Sequence, residues 1–249
     1  MSDQNKKNDE LLSYKTLLKA TETYVQEEMK QNDGSHDWHH VNRVRQMAVL
    51  LAHEKNQGNK EKKWKEIEID SDTLLVIELS ALLHDIKDWK YSGKSEAGVE
   101  AAIKFLQLHK LNPNLILRVA HTIQYIGFKT ELSDEKIVMT LELAIVQDAD
   151  RLDAMGAIGI ARCFTYGGSK KRMLYNPDHV LSCSKLTQEE YVKQNANNNQ
   201  SGILSHFYDK LLHLKDLMKT DMGRVKAEKR HQYMLDFLAQ FHDEWNAQD

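Results

Sequence analysis

Three groups of residues in this 249-residue chain are of types and spacings that can do chemistry. His36, His40 and Arg43 stand at i, i+4 and i+7 of one helical pattern, so they share a face. That face offers imidazole nitrogen to a metal and a guanidinium to whatever anion the metal binds. His84-Asp85 closes one strongly apolar run, 74–83, and Asp148-Ala149-Asp150-Arg151 closes a second, 137–146. A carboxylate carried into a core costs several kcal/mol or shifts its pKa unless it is paired. A cation shared between the two helix ends removes that cost. Each group alone has a plainer reading, a hydrogen-bonded histidine or a simple His-Asp contact. Together, His40, His84-Asp85 and Asp150 read as a metal site.

The elements that must hold these residues are helices. The chain has 11 glycines and 2 prolines, about one residue in twenty against the roughly 12% usual for the two together. That shortage excludes collagen-like, low-complexity and turn-rich all-β architectures. Apolar spacing predicts helices over about 9–31, 35–56, 72–85, 94–110, 113–126 and from Ser133 through 146. Asp70-Ser71-Asp72 supplies a start signal, and Asn112-Pro113 a cap followed by proline at the first helical position. The helices at 74–83 and 137–146 are apolar almost all round, which marks them as central. A small-residue stretch with Gly156 and Gly159 follows, and Gly167-Gly168 ends it. The segment 169–202 reads as a long loop with one capping-box helix signal at Thr187-x-x-Glu190. Two helices, 203–218 and 222–245, close the chain. The expectation is an all-α single domain: an N-terminal helix (1–33), a core (34–166), a loop insertion (167–202) and C-terminal helices (203–247).

Charge and cysteine content narrow the setting. The balance is 34 basic to 37 acidic residues, net −3, so nothing favours a nucleic-acid polymer or a membrane surface as partner. Two cysteines, Cys163 and Cys183, are too few for a disulfide framework. The polar first ten residues carry no secretory h-region, and no run reaches the ~18 apolar residues of a membrane span. A cytoplasmic protein is expected.

The order His, His-Asp, Asp on a helical bundle resembles the HD superfamily of metal-dependent phosphohydrolases. The segments His36-Asp37-Trp38-His39-His40, Ala81-Leu82-Leu83-His84-Asp85-Ile86 and Gln147-Asp148-Ala149-Asp150-Arg151-Leu152-Asp153 are similar to one branch of it, the small bacterial HD-domain hydrolases. So are the small residues that follow Asp153 and the closing His206-Phe207-Tyr208-Asp209-Lys210. The resemblance implies an HD-domain bundle in which His40, His84, Asp85 and Asp150 ligate one divalent ion. His36, one turn earlier, is the alternative first ligand or a substrate contact. A two-nitrogen, two-oxygen set suits Mn2+, the expected ion, with Ni2+, Co2+, Fe2+, Zn2+ or Mg2+ as alternatives. Such an ion binds a phosphoryl oxygen and lowers the pKa of an attacking water.

The same resemblance implies a small nucleotide or phosphate ester as substrate, with a nucleoside triphosphate pyrophosphohydrolase as the preferred version. A phosphomonoesterase, a phosphodiesterase and a regulatory module without turnover stay open. Asp88, three residues past the doublet, falls where some of these enzymes place a catalytic carboxylate. Arg43 reads either as a phosphate contact or as a salt bridge to Asp37 or Asp153. His121 reads as a substrate contact or a core histidine, Lys210 and His206 as closing-helix pocket residues, and Arg151 and Asp153 as partners that orient the site. Lys170-Lys171-Arg172 reads as a solvated run or a polyphosphate grip. A homodimer is left open.

Overall fold

The computed structural model describes residues 3–54, 69–86, 97–128, 136–179 and 201–248. All regular structure among them is helical: α1 (Asp3–Glu28), α2 (Trp38–Glu54), α3 (Ser71–Leu83), α4 (Ala97–Leu108), α5 (Pro113–Tyr125), α6 (Leu141–Asp153), α7 (Gly156–Ser169), α8 (Ser205–Asp209), a 3-10 helix (Leu211–Leu217) and α9 (Asp221–Trp245). The all-α expectation is met. Thr187 and Glu190 fall outside the described residues.

The apolar pattern explains the layout. α3, apolar nearly all round, and α6, buried along almost its whole length, lie in the middle, and α2 packs against both. Val41, Val44, Ala48 and Leu51 on α2 are fully buried between them. Two clusters of side chains result. One gathers Val44, Leu51, Ile145, Leu152 and Phe207 with residues of α9. The other gathers Leu79, Leu82, Leu83, Leu106 and Val119 with Val25 of α1. α1 is also held by charge, because Arg45 donates to Glu22 at 2.6 Å and to Glu78 at 2.7 Å, tying α1, α2 and α3 together.

The caps fall where side-chain chemistry places them. Asp70 accepts from the Thr73 amide at 2.7 Å, and Asn112 precedes Pro113 and accepts from the Asn114 amide at 2.9 Å. α6 differs from expectation. It starts at Leu141, where the Thr140 hydroxyl accepts from Leu143, and residues 136–140 are not helical. The β-branched stretch before Leu141 carries helix-like apolar spacing, but the cap of the helix is Thr140; Ser133, the expected start, lies outside the described residues. The expected helix over 203–218 is also divided. α8 stops at Lys210 (φ −140°), and a 3-10 helix continues. The break lets Leu211 and Leu214 turn into the core.

One anchor fixes the end of α6 against the start of α9. The buried Asp148 carboxylate accepts from the Lys219 amide at 2.9 Å, and from the Thr220 amide and hydroxyl at 2.7 Å each. Thr220 in turn caps α9 by accepting from Gly223 at 3.0 Å. The junction between α6 and α7 is equally tight. Gly156 takes φ +70°, and a Cβ at Gly159 would collide with the Ala154 backbone.

Candidate metal centre

The first turn of α2, the end of α3 and the last turn of α6 meet at one point. His40 comes from α2, His84 and Asp85 from the turn that ends α3, and Asp150 and Asp153 from α6. One ligand atom from each of His40, His84 and Asp150 lies within 4.8 Å of the others. Asp85 completes the group, with its oxygens 3.3 Å from His40 Nε2 and 3.6 Å from His84 Nε2. Asp150 Oδ1 stands 3.6 Å from His40 Nε2 and 3.7 Å from His84 Nε2.

The tautomers follow from the other ring nitrogens. His84 Nδ1 donates to the Ala81 carbonyl at 2.9 Å, and His40 Nδ1 faces Asp153 Oδ2 at 2.7 Å. With both Nδ1 atoms carrying the proton, both Nε2 lone pairs point at Asp85 and Asp150. Both Nε2 atoms are buried and lack a hydrogen-bond partner. Lone pairs and carboxylates facing one another repel, and a divalent cation between them reverses the sign. The orphaned Nε2 atoms therefore fit a metal, held through two nitrogens and two carboxylates.

Asp153 supports the centre from behind. Its carboxylate receives Arg43 Nε at 2.7 Å, Arg43 Nη2 at 3.1 Å and His40 Nδ1, with Arg162 Nη1 at 3.2 Å. This is the carboxylate–histidine arrangement that fixes ring orientation at metal sites. Burial raises the Asp153 pKa, but the hydrogen bonds from His40 and Arg43 and the charge of Arg162 outweigh it and hold the carboxyl well below its usual range. Asp85 behaves alike: burial raises its pKa, and His84 and His40 bring it well below the ordinary value. At His40 burial and Arg162 act downward, while Asp153 and Asp85 act upward and prevail.

A cleft of 140 Å³ opens beside the centre and is lined by His40, Asp85 and Asp150 together with α7, the turn after it and the start of α8. Besides the ligands, the residues singled out in the sequence that line it are His36, His206, Lys210 and Arg172 of the Lys170-Lys171-Arg172 run. His36 Nδ1 lies 2.7 Å from the Ser35 hydroxyl, and its ring meets Tyr166 edge-on at 5.7 Å. It is His40 whose nitrogen joins His84 and Asp150. Arg43 is drawn onto Asp153 and does not line the cleft, and His121 sits on α5 beside Tyr125, also away from it. Arg151 donates to the Leu217 carbonyl at 2.7 Å, away from the centre. Asp88 lies outside the described residues.

Several lining residues were not singled out as a group: Gly159, Arg162, Cys163, Tyr166 and Gly167 of α7. The signal was present. Positions 159, 162, 163, 166 and 167 stand at i, i+3, i+4, i+7 and i+8, one face of a helix. That face mixes a basic, an aromatic and a thiol side chain, which is not a core composition. Burial pushes the Cys163 thiol up to about 12, so it stays protonated in this cleft.

A bundle whose helix ends deliver His, His-Asp and Asp to one point defines a class, and the comparisons place the chain in it: it belongs to the HD-superfamily hydrolases. No family model matches the sequence. The chain is 34% identical over 218 residues to YpgQ of Bacillus subtilis, covering 88% of each chain. It is 35% identical to an HD-superfamily hydrolase of Bacillus thuringiensis, over 94% of this chain and all of that one, with a TM-score of 0.65. A Lactobacillus plantarum protein matches with a TM-score of 0.74 at 29% identity, over 93% of this chain and 98% of that one. YpgQ has also been crystallised with ADP, and that structure matches at 30% identity over 93% of this chain and 96% of that one, with a TM-score of 0.66. No described helix is long and apolar enough to cross a membrane.

Proposed function

We propose that the chain is a metal-dependent phosphohydrolase of a small nucleotide, in the first instance a nucleoside triphosphate pyrophosphohydrolase. The observation that carries the reading is the pair of buried, unpartnered Nε2 atoms of His40 and His84 aimed at Asp85 and Asp150. These four side chains would hold one divalent ion, Mn2+ first among the candidates. When bound, the ion supplies a Lewis acid for a phosphoryl oxygen and lowers the pKa of its water.

The chain's own residues do the rest. Asp153 keeps His40 in the tautomer that leaves Nε2 free for the metal, and Arg43 and Arg162 lock Asp153 in place. Arg43 thus acts through Asp153 on the centre, and His36 and Lys210 take the substrate side of the cleft. Asp88 is proposed either to orient the attacking water or to protonate the leaving oxygen. The nucleotide part of the reading is supported by the ADP complex of YpgQ. A reducing cytoplasmic setting is part of the same reading, since two cysteines are too few for a disulfide framework.

The test is a screen of nucleoside tri-, di- and monophosphates and simple phosphate esters with Mn2+, Co2+, Ni2+ and Mg2+, identifying the phosphorus product. Release of pyrophosphate from a triphosphate is the expected result. Release of orthophosphate from monophosphates and simple phosphate esters, with triphosphates left intact, instead makes the protein a phosphomonoesterase. Nucleotide binding with no cleavage by any metal makes it a binding module and overturns the proposal.

A further inference from the structure

The carboxylates of the cleft are all engaged by groups other than Arg172. Asp153 is taken by His40, Arg43 and Arg162. Asp85 and Asp150 face the proposed ion. Arg172 lines the same cleft, yet no carboxylate among the described residues pairs with it. Its Nε and Nη2 are buried and have no hydrogen-bond partner. The guanidinium carbon stands 5.3 Å from the centroid of the Tyr166 ring. Burial lowers its pKa, but a guanidinium does not lose its proton in a protein, so the charge remains and needs an anion.

The backbone holds this side chain in position. α7 ends in a double reverse turn: Lys171 N donates to Gly168 O at 3.0 Å, and Arg172 N donates to Gly167 O at 2.9 Å. Lys171 takes φ +56°, a left-handed conformation normally left to glycine. The turn sends Arg172 back along the helix toward Tyr166 and Cys163, on the face that lines the cleft.

The two unpartnered donors are the Nε–Nη2 edge of the guanidinium, whose parallel N–H groups match two oxygens of one phosphoryl group. We infer that Arg172 binds a second phosphoryl group of the substrate, beside the one held at the metal centre, and so selects phosphoanhydrides over monoesters. The inference rests on the phosphohydrolase reading for the first phosphoryl group. The second is assigned by Arg172 alone.

Calorimetric titration of inorganic pyrophosphate into wild-type, Arg172→Gln and Arg172→Lys protein, with and without one equivalent of Mn2+, tests it. Wild type binds pyrophosphate in at least one of the two states. In that state Arg172→Gln binds tenfold or more weakly, the loss expected for a charge-assisted bidentate contact. Arg172→Lys, which keeps the charge but not the fork, recovers part of the affinity. Equal affinity of wild type and Arg172→Gln, an equal loss in both variants, or no pyrophosphate binding to wild type in either state overturns the assignment. Thermal melting of each variant verifies that it is folded. The hydrolase reading fails separately, if pyrophosphate binds through Arg172 while no phosphate ester or anhydride is cleaved with any metal.

Discussion

Replacing Asp153 with asparagine removes one negative charge and almost no volume from a carboxylate that is 7% exposed. Three N–H groups donate to it, His40 Nδ1 at 2.7 Å, Arg43 Nε at 2.7 Å and Arg43 Nη2 at 3.1 Å, and Arg162 Nη1 forms an ion pair with it at 3.2 Å. The amide offers one acceptor oxygen. Its NH2 turns a donor toward donors, so at least one guanidinium loses its partner. Breaking a buried ion pair from one side costs about 3–5 kcal/mol. At roughly 2–4 °C per kcal/mol for a chain of this size, the melting temperature falls by about 6–20 °C. His40 also loses the acceptor that fixes its tautomer, and such changes cost about 10–100-fold in metal affinity. Scanning calorimetry of the metal-free protein reads the first effect, and Mn2+ titration at a temperature where the variant is folded reads the second. An Asp153→Asn protein with wild-type melting temperature and wild-type Mn2+ affinity refutes the claim that Asp153 organises the centre.

Three further outcomes are expected. Burial raises the Glu22 pKa, but hydrogen bonds from Lys19 and Arg45 bring it below its ordinary value. A lowered native pKa means stability that is present above the unfolded pKa of about 4.3 and lost as pH falls through the native one. Glu22→Gln therefore flattens the decline in melting temperature between pH 5 and pH 3 (on the order of the carboxylate range), and an unchanged acid limb argues against the Glu22–Arg45 tie. Cys163, held protonated by burial, resists iodoacetamide at pH 7.5 or so in the folded protein and reacts once unfolded; mass mapping of rapid native alkylation at Cys163 contradicts this. A Cβ at Gly223 would collide with Asp148 Oδ2 and stand 2.7 Å from Thr220 Oγ1, so Gly223→Ala opens the α6–α9 anchor. It lowers the melting temperature by several degrees, whereas Gly168→Ala, with open space around it, leaves it within about a degree.

What the sequence made legible was set by local pattern. The His84-Asp85 doublet stood out because an all-apolar run delivers it to a core, and Asp150 stood out for the same reason on α6. Asp153 was readable as a partner three residues on, one turn away on the helix that carries Asp150. The choice of His40 over His36 needed the tertiary structure, since both lie on one face one turn apart and only packing against α3 decides which ring reaches Asp85. Arg172 was less legible. It belongs to a lysine–arginine run that resembles a solvated surface, and only the reverse turn after α7 sends its side chain back to the cleft. The start of α6 differs from the expectation because residues 136–140 carry helix-like apolar spacing, yet the capping hydrogen bond is made only at Thr140, the last of them. The break at Lys210 was misread because the apolar pattern of 203–218 runs through it.

The central claim is that His40, His84, Asp85 and Asp150 form one metal centre. Equilibrium dialysis of the EDTA-treated protein against Mn2+, with elemental analysis of protein-bound metal, tests it most directly. The account predicts about one ion per wild-type chain and none retained by folded His84→Ala or Asp85→Ala protein. Wild type that binds no ion, or a His84→Ala variant that binds Mn2+ as wild type does, contradicts it.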